Sequence, residues 1–386
     1  MGRALTPDCD VLVVGAGIHG AGVAQAAAAA GYSVVVVERT APAAGTSSRS
    51  SKLIHGGLRY LETAQIALVY ESLAERRWML AHAPALVHLL PMHIPVYDDT
   101  RRAPWLIRAG LSAYALLGGL REHEGFRALR PSEWSALDGL DTRRLRAVFR
   151  YYEAQTDDAA LTRAVLASAQ RSGATIIMPA EVLAAEPRGD AVDVALAAAG
   201  GARSLRARVV VNAAGPWAAG VAARLHSDHT PPAVELVQGT HLEFGGMPAR
   251  GAYYVEAPAD GRAVFVMPYH GRTLVGTTER AYAGDPARVA PTDDERDYLC
   301  ATYRRYFPAA STEPVAEWAG LRVLPAAAGA AFGRPRETQF DVRGRVVSIY
   351  GGKLTTWRRT AGDALRLCRR ALPAPARRID TRTVPL

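Results

Sequence analysis

Residues 10–38 read DVLVVGAGIHGAGVAQAAAAAGYSVVVVE. Residues 10–14 are a short apolar β-type run. Gly15, Gly17 and Gly20 follow at the spacing of a glycine turn, and 21–30 is rich in alanine, the strongest helix former. Gly31 ends that helix, and 33–37 is a second β run closing on Glu38. Strand, glycine turn, helix, strand and acid together make a dinucleotide-binding element. Gly15 makes the tight turn, Gly17 lets the backbone approach a pyrophosphate, and Gly20 lets the helix pack on the strand. The helix N-terminus turns its N–H groups toward phosphate charge. Glu38 stands where an acid accepts hydrogen bonds from ribose hydroxyls.

The element alone serves NAD and FAD alike. The run TSSRSSK at 46–52 favours FAD, because such a polar stretch wraps a second phosphate or a ribityl chain. Farther on, the apolar strand 209–211 ends on NAAG at 212–215. Small residues at a strand end let backbone pass close to a ligand. The strand 346–350 ends on Gly351 and Gly352, and the pattern after it predicts a helix over about 354–372. A helix N-terminus there suits the negative charge of a reduced flavin.

The block SSKLIHGGLRYLE at 50–62 resembles the signature of the FAD-dependent glycerol-3-phosphate dehydrogenase family. Further matches follow in chain order: LAER at 73–76, APWLIRAG at 103–110, Asp157 with Asp158, NAAGPW at 212–217, GTH at 239–241, VGTT at 275–278, GLR at 320–322 and GGKLTT at 351–356. The resemblance runs over about 8–372. Some positions depart from it. Gln238 stands where the family has lysine, Val323 where it has proline, and Ala160 where arginine is common. The family continues into a helical C-terminal domain, which this chain is read as lacking.

The fold class expected is α/β. A Rossmann-like FAD-binding domain is assembled from 1–84, 151–224 and 320–386, and a substrate domain from 85–150 and 225–319. Alternating runs at 253–255, 263–267 and 273–276 read as antiparallel strands of the substrate domain. Carried over residue by residue, the resemblance implies FAD contacts at Gly15, Gly17, Ile18, His19, Gly20, Glu38 and Arg39. It continues them at Thr46, Ser47, Ser48, Ser51, Lys52, Leu53 and Val182, then at Ala213, Ala214, Gly215, Trp217 and Gly320. Gly352, Lys353, Leu354 and Thr355 complete the set. A small anionic alcohol needs cations, and the planar guanidinium fork binds two phosphate oxygens at once. The candidates are Arg59, Arg322 and Arg336, with Arg334 as the alternative to Arg336 and Tyr60 as pocket wall. Oxidation sends hydride from the alcohol carbon to flavin N5 and needs a base for the hydroxyl proton. His55, His241 and Lys353 are the candidates, and the sequence leaves the choice among them open.

Composition excludes several classes. Cys9, Cys300 and Cys368 form no zinc or CxxC spacing, and no P-loop, HExxH or Ser-His-Asp order is present. Of the net charge of +9, the stretch 358–386 supplies +6, from eight arginines against Asp363 and Asp380. That pattern does not match a nucleic-acid-binding face. No run reaches the length of a membrane span. The expected location is cytoplasmic, at the inner face of a membrane, with a quinone or similar acceptor for the electrons. The run 104–114 carries aromatic, apolar and cationic groups that suit a membrane interface, and equally suit a packed core helix. Two other readings stay open: an amino-acid-oxidase-like flavoprotein acting on an amine or hydroxy acid with oxygen, and a non-catalytic flavin-holding scaffold.

Overall fold

The two apolar runs of the N-terminal stretch become neighbouring parallel strands, Cys9–Val14 and Val34–Val37, with Val11 beside Val34 and Val14 beside Val37. The computed structural model describes residues 7–120, 123–226, 230–246, 248–326, 338–376 and 381–386. Its α-helices are α1 (Ile18–Ala29), α2 (Ile66–His82), α3 (Pro104–Gly118), α4 (Asp158–Arg171), α5 (Ala218–Leu225), α6 (Asp293–Tyr306) and α7 (Trp357–Cys368). The chain forms two compact units.

The first unit takes Met1–Ser50, Asp157–Val237 and Arg322–Leu386. Its main sheet runs in the order Gln339–Arg343, Val346–Tyr350, Gly201–Asn212, Cys9–Val14, Val34–Val37, Thr175–Ile177. All neighbours after the first pair are parallel. Parallel strands are covered on both faces, which is why they read as unbroken valine runs rather than alternating ones. Helix α1 packs against α4 and α7 and buries all but one of its residues. Alanine and glycine make that close packing possible. A Cβ on Gly22 would stand 2.8 Å from the Trp357 ring of α7, and Gln25 Nε2 donates to Ser168 Oγ of α4 at 2.9 Å.

The second unit takes Ser51–Thr156 and Gln238–Leu321. The runs expected as antiparallel strands are Ala252–Glu256, Ala263–Tyr269 and Arg272–Gly276, paired antiparallel in that order. Ala252–Glu256 also pairs, in parallel, with the long strand Val87–Tyr97, itself antiparallel to Leu145–Thr156. One apolar cluster gathers Leu299, Tyr303 and Tyr306 of α6 with Phe244, Tyr253 and Val266. A second gathers Val69 and Leu73 of α2 with Leu111 and Tyr114 of α3.

Two expectations shift. The segments 51–84, 151–156 and 320–321, assigned from sequence to the FAD-binding domain, fall in the second unit, and 225–226 and 230–237, assigned to the substrate domain, fall in the first. Leu53 and Ile54 pair with Gln155 and Ala154, and α2 sits in the apolar cluster of α3. The helix expected over 354–372 begins at Trp357 and ends at Cys368. Gly351 and Gly352 both take positive φ, and a turn over 354–356 intervenes before Trp357 enters its seat on α1.

Candidate active site

In the first unit, the glycine turn is as tight as its residues predict. Gly15 has φ +101°, and a Cβ there would stand 2.8 Å from the Ala213 carbonyl oxygen. A Cβ on Gly20 would stand 1.9 Å from the Gly15 oxygen, so only glycine lets α1 approach its strand this closely. Gly17 is the N-cap of α1, whose first turn carries no acidic side chain. Glu38 accepts from the Ala16 N–H and the Thr40 N–H, both at 2.8 Å. Ser47 Oγ accepts from the Ile18 N–H at 2.9 Å, tying the run 46–52 to the helix start. The Arg39 guanidinium lies over the Trp217 ring at 4.9 Å. Asn212, fully buried, holds the 213–215 turn: it donates to the Ala218 carbonyl at 2.8 Å and accepts from the Ala214 N–H at 3.3 Å. The Gly351–Gly352 turn closes on the same helix, for a Cβ on Gly352 would stand 2.5 Å from His19 Nε2. Burial lowers the His19 imidazole to about 4, against the pull of a hydrogen bond with the Gly351 backbone. Lys353, Leu354 and Thr355 lie in the turn beyond the glycine pair.

In the second unit, His241 is 2 % exposed and held on several sides. Its Nε2 lies 2.9 Å from Ser51 Oγ, and its ring stacks on Trp318 at 5.6 Å between centroids. Gly276 makes room for it, because a Cβ there would stand 2.3 Å from His241 Cδ2. The Lys52 ammonium lies over Trp318 at 5.3 Å and over Tyr269 at 5.5 Å. His55 is followed by Gly56 and by Gly57 at φ +80°, which turn the chain into the short 3-10 helix Leu58–Leu61. That helix carries Arg59 and Tyr60; Arg59 lies over the Tyr60 ring at 5.8 Å, and His55 stacks on Tyr60 at 6.5 Å. Gln238 is not a bare replacement for lysine. Its amide donates to the buried Glu295 carboxylate, which also accepts from Thr278.

The remaining predicted residues fall in several places. Leu53 is buried in its strand, and the Val182 side chain packs in the core of the first unit while its carbonyl accepts from Arg224 at 3.0 Å. Gly320 and Arg322 lie in the strand Pro314–Pro325. Arg334 and Arg336 lie outside the described residues. Trp318, which meets both His241 and Lys52, and Tyr269, which meets Lys52, carry no sequence signal of their own. Their contacts join segments far apart in the chain.

Comparison with known proteins gives these geometries a context. A family model described as FAD dependent oxidoreductase matches residues 10–362. A glycerol-3-phosphate dehydrogenase of Pseudomonas aeruginosa is 37% identical over 390 residues, covering 95% of this chain and 73% of that protein. The chain belongs to the FAD-dependent oxidoreductases. The D-erythritol 1-phosphate dehydrogenase of Brucella abortus is 35% identical over 378 residues, covering 95% of this chain and 74% of that one. The solved structure of glycerol-3-phosphate dehydrogenase from Bacillus halodurans, complexed with FAD, matches with a TM-score of 0.78 at 28% identity, over 97% of this chain and 67% of that one. The cofactor of this FAD-dependent oxidoreductase is therefore FAD, and the first unit fits it. The close approaches at Gly15 and Gly20, the acid-free start of α1 and the Glu38 carboxylate are the parts a dinucleotide needs. Among the described residues, no group of His, Cys, Asp and Glu is arranged to hold a metal ion, and no helix is long and apolar enough to cross a membrane.

Proposed function

We propose that this enzyme oxidises sn-glycerol 3-phosphate, or a closely related phosphorylated polyol, at a secondary hydroxyl to give the ketone. The single observation that carries the reading is the fixed imidazole of His241, on Ser51 and Trp318, in the same unit as the Arg59 turn. The names of the two closely matching relatives support a phosphate ester as substrate. The bound FAD supplies a hydride acceptor at N5. Arg59 grips the phosphate dianion with its planar fork of N–H donors. Gly15, Gly17, Gly20 and Glu38 hold the dinucleotide, with Arg39, Trp217 and the 351–355 turn as further contacts. His241, held by the contact between its Nε2 and Ser51 Oγ, takes the hydroxyl proton. His55 and Tyr60 wall the substrate, and Lys353 stands at the end of the glycine pair.

The electrons pass on to a quinone or similar acceptor at a membrane surface. Helix α3 supports that choice. Ile107, Leu111 and Tyr114 face the core, while Trp105 and Leu116 are 71% and 66% exposed, with Arg108 beside them. An aromatic, aliphatic and cationic face of this kind suits a membrane interface. Dye-linked turnover with glycerol 3-phosphate, erythritol phosphate, unphosphorylated glycerol, glycine and lactate tests the substrate. Turnover confined to the phosphorylated polyols is expected. Turnover with the amino or hydroxy acids alone defeats the proposal. Flotation with anionic liposomes at low salt tests the surface, and Trp105→Asp with Leu116→Asp is expected to abolish it. An enzyme that stays in the aqueous fraction throughout rejects membrane contact.

A further inference from the structure

The matched stretch 73–76 has no part in the proposed chemistry, yet it meets the strand Leu145–Thr156 inside the second unit. Arg76 of α2 and Glu153 of the strand Leu145–Thr156 are 1% and 2% exposed and form an ion pair at 2.5 Å. Arg76 also donates to the Tyr152 carbonyl at 2.8 Å and pairs with the buried Glu124. Tyr114 of α3 donates its hydroxyl to Glu153 Oε1 at 2.5 Å. A buried ion pair is costly to assemble, and apolar residues of similar volume often stabilise a fold as well or better. Its presence here calls for a further role.

The role lies in the turn beside it. Leu53 and Ile54 pair with Gln155 and Ala154, and there the ladder stops. The Gly56 N–H donates instead to Glu153 Oε2 at 3.2 Å. Only glycine fits here: a Cβ on residue 56 would stand 2.3 Å from the Tyr114 hydroxyl and 2.5 Å from Leu73 Cδ2. One carboxylate thus ties α2, α3 and its own strand to the backbone between His55 and Arg59. We propose that Glu153, clamped by Arg76 and Tyr114, is a positioning residue that fixes the 55–59 turn through the Gly56 N–H and so aims Arg59 at the substrate phosphate.

This inference rests on the reading of Arg59 as a phosphate-binding group, and the test separates the two. The holoenzyme is compared with Glu153→Gln, with the double variant Arg76→Met/Glu153→Leu, and with Arg59→Ala. The readouts are KM and kcat for glycerol 3-phosphate, KM for the dye acceptor, FAD content and Tm. Glu153→Gln keeps an oxygen acceptor for Gly56, so its KM stays within about twofold of the parent. The double variant removes acceptor and charge together; it keeps FAD and the acceptor KM, and raises the substrate KM about tenfold or more. A double variant that holds FAD with the parental substrate KM overturns the clamp. If Arg59→Ala leaves the substrate KM unchanged, the phosphate reading falls and the clamp's purpose falls with it. If Arg59→Ala raises KM while the double variant does not, only the clamp falls. Should the double variant fail to fold, hydrogen exchange at the Gly56 amide of the parent decides. Exchange slower than that of exposed turn amides by about tenfold or more is expected, and exchange at their rate overturns the proposal.

Discussion

His93 shows how a single buried side chain sets a pH dependence. It is 3 % exposed, stacks on Tyr253 and lies 3.3 Å through Nδ1 from the Ala252 carbonyl oxygen. Burial lowers its imidazole from 6.5 to about 4. Between those values the unfolded chain binds the proton and the folded chain does not. Stability therefore falls as pH drops through that window and levels off below about 4, by about 3 kcal/mol in all for this group. Replacing His93 by Gln is expected to flatten the fall in Tm between about pH 6.5 and pH 4. An unchanged slope contradicts the assignment. The proposed proton acceptor is tested at the same scale. His241→Asn is expected to lower kcat by about 10²–10⁴ with FAD content unchanged, as loss of a general base does. A kcat within about twofold of the parent removes His241 from that role and returns it to His55 or Lys353. At this scale the sequence showed residue types and not their partners. His241, Arg59 and Ser51 stand inside matched motifs, but the pairing of Ser51 with His241, and Trp318 and Glu153 altogether, become informative only through contacts between distant segments.

Among the elements, α1 is the one whose sequence was most legible. Its glycines, alanines and flanking valines each satisfy a local steric demand, so the strand–turn–helix–strand order is written in 10–38 alone. Gly20→Ala tests that demand. The added methyl would meet the Gly15 oxygen at 1.9 Å, and the helix must shift to admit it. Overpacking of this kind costs about 1–3 kcal/mol, so FAD affinity is expected to fall about tenfold to a hundredfold, read by fluorescence titration. Gly362 of α7 is the opposite case, with nothing within 4 Å of a Cβ. Gly362→Ala is expected to raise stability by about 0.5–1 kcal/mol in a melting experiment, through the entropy of the unfolded chain. Less legible was α7 itself. Its start at Trp357 depends on the seat that Gly22 leaves for an indole, a contact across more than three hundred residues of chain. Helix α3 was read from sequence as either core or surface. It is both, one face buried and one exposed.

For the whole molecule, the bounds of the two units differ from those expected at 51–84, 151–156 and 320–321, which fall in the second unit, and at 225–226 and 230–237, which fall in the first. A strand as short as Leu53–Ile54 gives no periodic signal, and its partners lie about a hundred residues away, at Gln155 and Ala154. The first unit supplies the dinucleotide cradle, and the second supplies a fixed imidazole and the 55–59 turn. The proposed activity draws electrons from a phosphorylated polyol into the flavin. Anaerobic titration of the oxidised holoenzyme, followed in the long-wavelength flavin absorbance, is the test of it. Stoichiometric bleaching by sn-glycerol 3-phosphate or erythritol phosphate, with none by glycerol, amino acids or hydroxy acids, is the predicted result. Bleaching by an amino or hydroxy acid with the phosphates inert would contradict it.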